Sequence, residues 1–297
     1  MANTIPQSEN DDQSLRMLAT QRGLYRWAKT TSLIQVVLVI VLPGALIVLN
    51  RLNPAFDVWS AFAGLFIAVL DTSVIDPIIS GFREKAAAMQ EWFDCKVLDL
   101  EWPELIVSKP DREDIRASVT EKESRLLKDW YPISVGTLPL HVARIICQRS
   151  NCWWDAKLRR FYGRAVLASG VIVIASVMVI AITANLSFVE FLISLLTPVL
   201  PLILWGVREA KQHHEAAERI DRLKTFGDQL WSNAMDRTID AAAIRAESRK
   251  FQDEIYRRRQ RSPMVFDWFY YLFRTRFEAQ MQNSAVEMVA EAHSKGF

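Results

Sequence analysis

AVLASGVIVIASVMVIAITANL, residues 165–186, holds 22 residues without one formal charge. As a helix it would be about 33 Å long at about 1.5 Å per residue, matching a hydrocarbon core of about 30 Å. A helix of a water-soluble core rarely stays apolar on every face for about six turns. Ser169, Ser176 and Thr183 fit the reading, because a hydroxyl can bond back to carbonyls of its own helix. The stretch reads as a transmembrane helix, and it places the rest of the chain on one side of a bilayer or the other.

Three more apolar runs flank it. Residues 32–49, SLIQVVLVIVLPGALIVL, form a first span with an expected kink at Pro43-Gly44, followed by a turn through Asn50, Arg51 and Asn53-Pro54. Residues 56–79 form a second, with Asp57 at its outer edge, Asp71 inside the run and Asp76 just before Pro77. A carboxylate within a membrane is costly, so it usually faces a bundle interior, water or a partner. Two readings of Asp71 stay open: a pore-facing carboxylate, or a hydrogen-bonded Asp that locks helix packing. Residues 188–207 form a fourth span that Pro198 and Pro201 should bend, with Trp205 suited to the interface. Glu190 either lines an outer mouth or is a solvated helix end. Asp71, Asp76 and Glu190 are the candidate pore-lining residues.

Between these runs the chain is charged. Its 297 residues carry 36 basic and 34 acidic side chains, a balance that gives no reason to expect DNA or RNA as a partner. The basic residues near the ends of the runs (Arg22, Arg26, Lys29, Arg83, Lys85, Arg159, Arg160, Arg164, Arg208 and Lys211) all fall on one side. By the positive-inside rule both termini and the central loop are cytoplasmic. Cys95, Cys147 and Cys152 make no disulfide framework and read as reduced thiols. About thirty polar and charged residues precede the first run, so no secretory signal peptide is expected. The expected fold is an all-α integral membrane protein. Four transmembrane helices form two hairpins, and the central loop and C-terminal region build a helical cytosolic domain. Its segments are 1–31, a cytosolic N-terminal segment; 32–79, the first hairpin; 80–164, cytosolic; 165–207, the second hairpin; and 208–297, cytosolic.

Within the charged segments, Leu15, Leu18, Leu24 and Trp27 recur at roughly helical spacing, either an amphipathic lead into the membrane or an ordinary solvated helix. Helices are expected over 82–93, continuing from the second span, over 111–128 with Asp111 as N-cap, over 140–148 after Pro139, and over 151–162, which feeds the third span as one long helix. Ile220, Leu223, Phe226, Leu230 and Met235 form an apolar stripe, for packing on the other cytosolic helices or for a coiled coil between subunits. Arg257, Arg258, Arg259 and Arg261 precede the aromatic run 264–273, which suits either an anionic membrane surface or the domain core.

The densest constellation is 129–160, DWYPISVGTLPLHVARIICQRSNCWWDAKLRR. Its aromatic and guanidinium groups suit stacking on bases and binding of phosphate. The same tryptophans and cations also suit an interfacial belt at the membrane entry. Here the chain resembles a known family. ARIICQRSNCWWDAKLRR preceded by DWYP and LPL, Ile5-Pro6-Gln7 followed by Gln21-Arg22 and Tyr25, and the run Gly81 to Ala86 leading to Phe93-Asp-Cys95 are similar to the SMODS-associating four-transmembrane effectors. The resemblance covers nearly the whole chain. It implies a pore-forming effector of the bacterial inner membrane, acting in antiviral defence beside an enzyme that makes a cyclic oligonucleotide. On that reading Arg144, Arg149, Trp153 and Lys157 are the candidates to bind the cyclic nucleotide or to transmit its binding. The lipid bilayer and further copies of the chain, as a homo-oligomer, are the other expected partners.

An enzyme is not expected. His141, His213, His214 and His293 have no zinc-like spacing, and no phosphate-cradling glycine loop or nucleophile elbow occurs. No catalytic residue, metal or cofactor is assigned. The competing functional class is a non-conducting membrane sensor or scaffold that relays a cytosolic signal to a partner protein.

Overall fold

A computed structural model describes residues 3–42, 45–46, 57–103, 105 and 108–297. The expected kink at Pro43-Gly44, the turn at 50–54 and the side chains of Asp57 and Pro198 lie outside the described residues. The helices are α1 (Ile5–Glu9), α2 (Asp12–Val36), α3 (Asp57–Leu70), α4 (Asp76–Val97), α5 (Glu121–Leu127), α6 (Leu140–Thr183), α7 (Phe188–Glu190), α8 (Thr197–Met235), α9 (Ala241–Arg261) and α10 (Asp267–Ser294). The chain divides into two compact units. One comprises Met1–Arg26, Phe82–Arg159 and Ala216–Phe297, the other Trp27–Gly81 and Arg160–Glu215.

The first unit is a helical domain with an ordinary apolar core. Ile5, Met17, Leu18, Phe93, Val142 and Ile146 are fully or almost fully buried, each worth about 1.5–3 kcal/mol relative to exposure. The N-terminal segment is therefore neither a solvated helix nor only a lead into a bilayer. Asn3 ties it down by donating to the carbonyls of Val135 at 2.7 Å and Leu138 at 2.8 Å. The stripe of α8 also turns inward: Ile220, Leu230 and Met235 are buried against helices of the same unit.

The helix expected over 111–128 does not form. A 3₁₀ turn at Arg112–Asp114 gives way to extended chain, and the helix starts only at Glu121. Thr120 accounts for the late start. Its hydroxyl and the Glu123 carboxylate form a reciprocal capping box, which satisfies donors a helix start leaves free. Upstream, the Arg116 N–H donates to Thr20 Oγ1 at 2.9 Å and so cannot serve a helix ladder. The long helix expected from 151 into the third span does form, and the helix expected over 140–148 is part of it: α6 runs 44 residues without a break.

The second unit is apolar outside. Asp12–Val41, Phe62–Val97 and Leu140–Thr183 are long and apolar enough to cross a membrane, and Leu167, Val171, Ile172 and Ile182 are more than half exposed. Ser169, Ser176 and Thr183 each donate to a carbonyl three or four residues back, as expected of hydroxyls in such a helix. Asn185 then adopts a left-handed backbone (φ 50°), and Leu186 N–H returns to the Ala181 carbonyl to close the turn. Antiparallel contacts between α6 and α8 pair Val166 with Gly206, Gly163 with Ala210 and Tyr162 with His213. A Cβ at Gly163 would lie 3.1 Å from the Ala210 carbonyl oxygen, so this glycine permits close helix packing rather than a hinge.

Among the described residues, three π-helical turns interrupt the apolar helices, at Val37–Val41, Asp71–Ile75 and Phe191–Leu196. Each lies just ahead of proline in sequence: Pro43, Pro77, and Pro198 with Pro201. Proline lacks an N–H and clashes with the carbonyl four residues back; a widened turn relieves both problems. Thr197 Oγ1 adds a bond to the Leu192 carbonyl at 2.8 Å. The proline-free apolar half of α6 stays regular.

Candidate functional sites

The π-turn at Asp71–Ile75 changes what two carboxylates can do together. In a regular helix, residues five apart point about 140° away from each other. Here the Asp76 N–H bonds to the Asp71 carbonyl, five residues back, and both side chains reach one partner. Gln35 Nε2 on α2 donates to Asp71 Oδ1 at 2.8 Å and to Asp76 Oδ1 at 2.6 Å. One amide thus holds two carboxylates, each with further oxygen lone pairs to offer. Asp71 is half-buried and Asp76 exposed on this unit. Sequence reasoning singled out both carboxylates but missed Gln35, the polar interruption of an otherwise apolar 33–42.

Glu190 does not join this cluster. It caps the start of its own helix: Ser187 N–H donates to Glu190 Oε2 at 2.8 Å, and Glu190 N–H donates to Ser187 Oγ at 3.3 Å. That geometry matches the helix-end reading of Glu190.

The four ligand candidates occupy three environments in the first unit. Arg144 is buried, and its Nε and Nη2 donate to the carbonyls of Leu98 at 2.7 Å and Asp99 at 3.0 Å, just beyond the end of α4. Burial lowers its pKa to about 10. A guanidinium at a helix C-terminus satisfies carbonyls that have no ladder partner. Arg149 pairs with Asp228, which also receives Lys224. Burial pushes the Asp228 carboxyl upward, but hydrogen bonds from Lys224 and Arg149 outweigh it and hold it below its usual value.

Trp153 and Lys157 lie together, on successive turns of α6. Lys157 Nζ sits 4.6 Å from the Trp153 ring centroid and 5.1 Å from that of Phe277, and donates to Gln280 Oε1. Burial and then the nearby Arg276 push the Lys157 ammonium below its usual range. Trp154 extends the aromatic face, 5.7 Å from Phe277 and 6.1 Å from Tyr270. Half-buried aromatic rings and two neighbouring cations form a surface that fits a base and a phosphate.

A feature with no sequence forewarning lies in the core of the same unit. Glu91 and Asp94 are fully buried on α4. Arg249 Nη2 binds Glu91 Oε1 at 2.6 Å, and Arg259 pairs with Asp94. Gln252 Nε2 donates to Glu91 at 2.8 Å and Asp94 at 2.9 Å, and Tyr131 donates to Asp94 at 2.6 Å. Gln148 on α6 joins through Gln252 Oε1 at 3.0 Å. Burial first, then Asp94, raises the pKa of Glu91 against the opposing pull of Arg249. The network ties α4, α6 and α9 into one polar core. Ala87, Glu91 and Asp94 share helical spacing in the sequence, but that spacing does not separate buried carboxylates from solvated ones.

A family model described as the SMODS-associating 4TM effector domain matches residues 3–288. A "Probable CBASS effector molecule" of Bacillus cereus (strain VD146) is 25% identical over 286 residues, covering 93% of this chain and 95% of that protein. No solved structure matches the chain. With nearly its whole length matched, the chain belongs to the SMODS-associating 4TM effector domain family.

Proposed function

We propose that this chain is a membrane effector of bacterial antiphage defence, and that it permeabilises the inner membrane when a cyclic oligonucleotide reaches its cytosolic unit. The observation that carries the reading is the Gln35–Asp71–Asp76 cluster on otherwise apolar helices. Carboxylates exposed to lipid are costly, whereas the same groups turned toward a water path between copies stay solvated and attract cations. Four apolar runs cross as two hairpins, with both termini in the cytoplasm. Residues 80–164 and 208–297, joined by the N-terminal segment, form the cytosolic unit. Several copies in a closed ring enclose the path, because two hairpins are too few helices to do so.

Trp153 and Lys157, with Arg276, receive the nucleotide, and the buried Phe277 ring backs them. Arg144 and Arg149 hold α4 and α8 against α6 and act by positioning. α6 begins in the sensing unit and contains residues 165–183 of the uncharged run in one unbroken helix, so it is the natural carrier of the signal. A ligand shifts such an equilibrium only through its different affinities for the two states. The test is potassium release from liposomes that contain the purified chain, with cyclic di- and trinucleotides added outside. Release that depends on nucleotide supports the reading. Saturable nucleotide binding with no release, at verified insertion, replaces it with a non-conducting sensor.

A further inference from the structure

The corner between α9 and α10 carries a surface that the proposed function does not use. α10 buries Phe269, Phe277 and Met281 on one side. On the opposite side Trp268, Tyr271 and Leu272 are 65%, 47% and 67% exposed. Positions i, i+3 and i+4 form one stripe of a helix, so the three side chains make a continuous apolar ridge. Cations border it. Arg257 and Arg258 share the single carboxylate of Glu254, while Arg261 is exposed. The corner is also tied to α6: Arg159 Nη1 donates to the Pro263 carbonyl, and Arg159 stands six residues before Ala165 in sequence.

We infer that this corner is a peripheral docking surface for anionic phospholipid. Trp268 and Tyr271 take the headgroup level, where such amphipathic rings concentrate. Leu272 enters the acyl boundary, and Arg257 and Arg261 neutralise headgroup phosphates. Ridge and cations together fit a lipid surface better than a second protein copy, because two amphipathic rings, an aliphatic tip and bordering arginines match the successive layers of an anionic bilayer surface. Docking requires neither nucleotide nor conduction, so its failure and the failure of the proposed function are separable.

The test uses the full chain in nanodiscs. Leu272→Cys carries an environment-sensitive fluorophore; the native Cys95, Cys147 and Cys152 are buried and do not compete. Val286→Cys, exposed on the same helix about 21 Å further along, is the control. In discs of equal parts phosphatidylglycerol and phosphatidylcholine, a lipid-borne spin label should quench position 272 well above position 286. Replacing Arg257 and Arg261 by glutamine should lower the docked-to-free ratio about fivefold per arginine. Equal quenching at both positions overturns the inference. So does quenching that ignores the arginine replacements. A probe that is shielded without lipid quenching, and is freed in discs holding a single chain, assigns the ridge to a second copy and overturns it as well.

Discussion

The two units meet their surroundings in opposite ways. The first buries charged and polar groups: Glu91, Asp94, Arg144, Gln148 and Gln252 lie inside, and each has partners. The second exposes Val171, Ile172 and Ile182 and, among otherwise apolar side chains, brings Asp71 and Asp76 together on Gln35. Where water is outside, a buried carboxylate is tolerated only with an arginine and amides around it. Where lipid is outside, apolar exposure costs nothing and the carboxylate itself becomes the exception. A buried network specifies one packing of the first unit, whereas a polar cluster in the second marks where the surroundings must be something other than lipid.

That contrast can be broken by parallel substitutions. Arg249→Ala leaves Glu91 buried without its cation and should destabilise the first unit by about 3–5 kcal/mol, seen as a large fall in the thermal midpoint of detergent-solubilised protein. Gln35→Leu in the second unit should shift that midpoint far less. Equal shifts would mean that the two polar clusters are not different in kind.

Glu9 sharpens the same point through pH. It is buried, accepts the Tyr131 N–H at 2.7 Å, and burial raises its pKa from 4.5 to about 8. The folded chain therefore keeps a proton that the unfolded chain releases above 4.5. Stability from this group is intact below that pH and declines as pH rises toward 8. Glu9→Gln removes the titration, so its midpoint relative to wild type should climb between pH 5 and pH 8. A difference that stays flat over that range contradicts the buried, proton-holding role.

Smaller effects separate sensing from holding. Loss of one stacked ring costs about 1–3 kcal/mol, so Trp153→Ala should raise the nucleotide needed for potassium release roughly tenfold at unchanged abundance. Arg144→Ala should instead lower stability, because it strips the end of α4 of its donor. The reverse pattern would move the ligand to Arg144. Smallest is Thr120→Ala, which removes the cap of α5 and should cost about 1 kcal/mol without changing the nucleotide dose. A shift in dose would show that the 111–128 segment takes part in sensing.

The apolar architecture was legible because charge is absent over whole runs, and no tertiary context rewrites a run such as 165–186. Asp71 and Asp76 were legible one at a time. Their convergence was not, since it depends on a π-turn that a pattern of regular helices does not contain; prolines inside apolar runs were the available clue. Glu91 and Asp94 read as ordinary charges of an amphipathic helix, because their partners Arg249, Gln252 and Arg259 lie about 160 residues away in sequence. In 111–128, local helix propensity lost to a capping box and to a backbone bond reaching back to Thr20.

The central claim is that the Gln35–Asp71–Asp76 cluster faces water in a conducting assembly. Planar-bilayer recording of the full chain with a cyclic oligonucleotide tests it most directly, by comparing wild type with the Asp71→Asn, Asp76→Asn double variant at matched insertion. The account predicts nucleotide-dependent conductance in both, cation-preferring in wild type, with the reversal potential in a potassium chloride gradient moving toward zero in the variant. Wild-type conductance whose reversal potential is unchanged in the variant, or no conductance from inserted and nucleotide-bound protein, would contradict it.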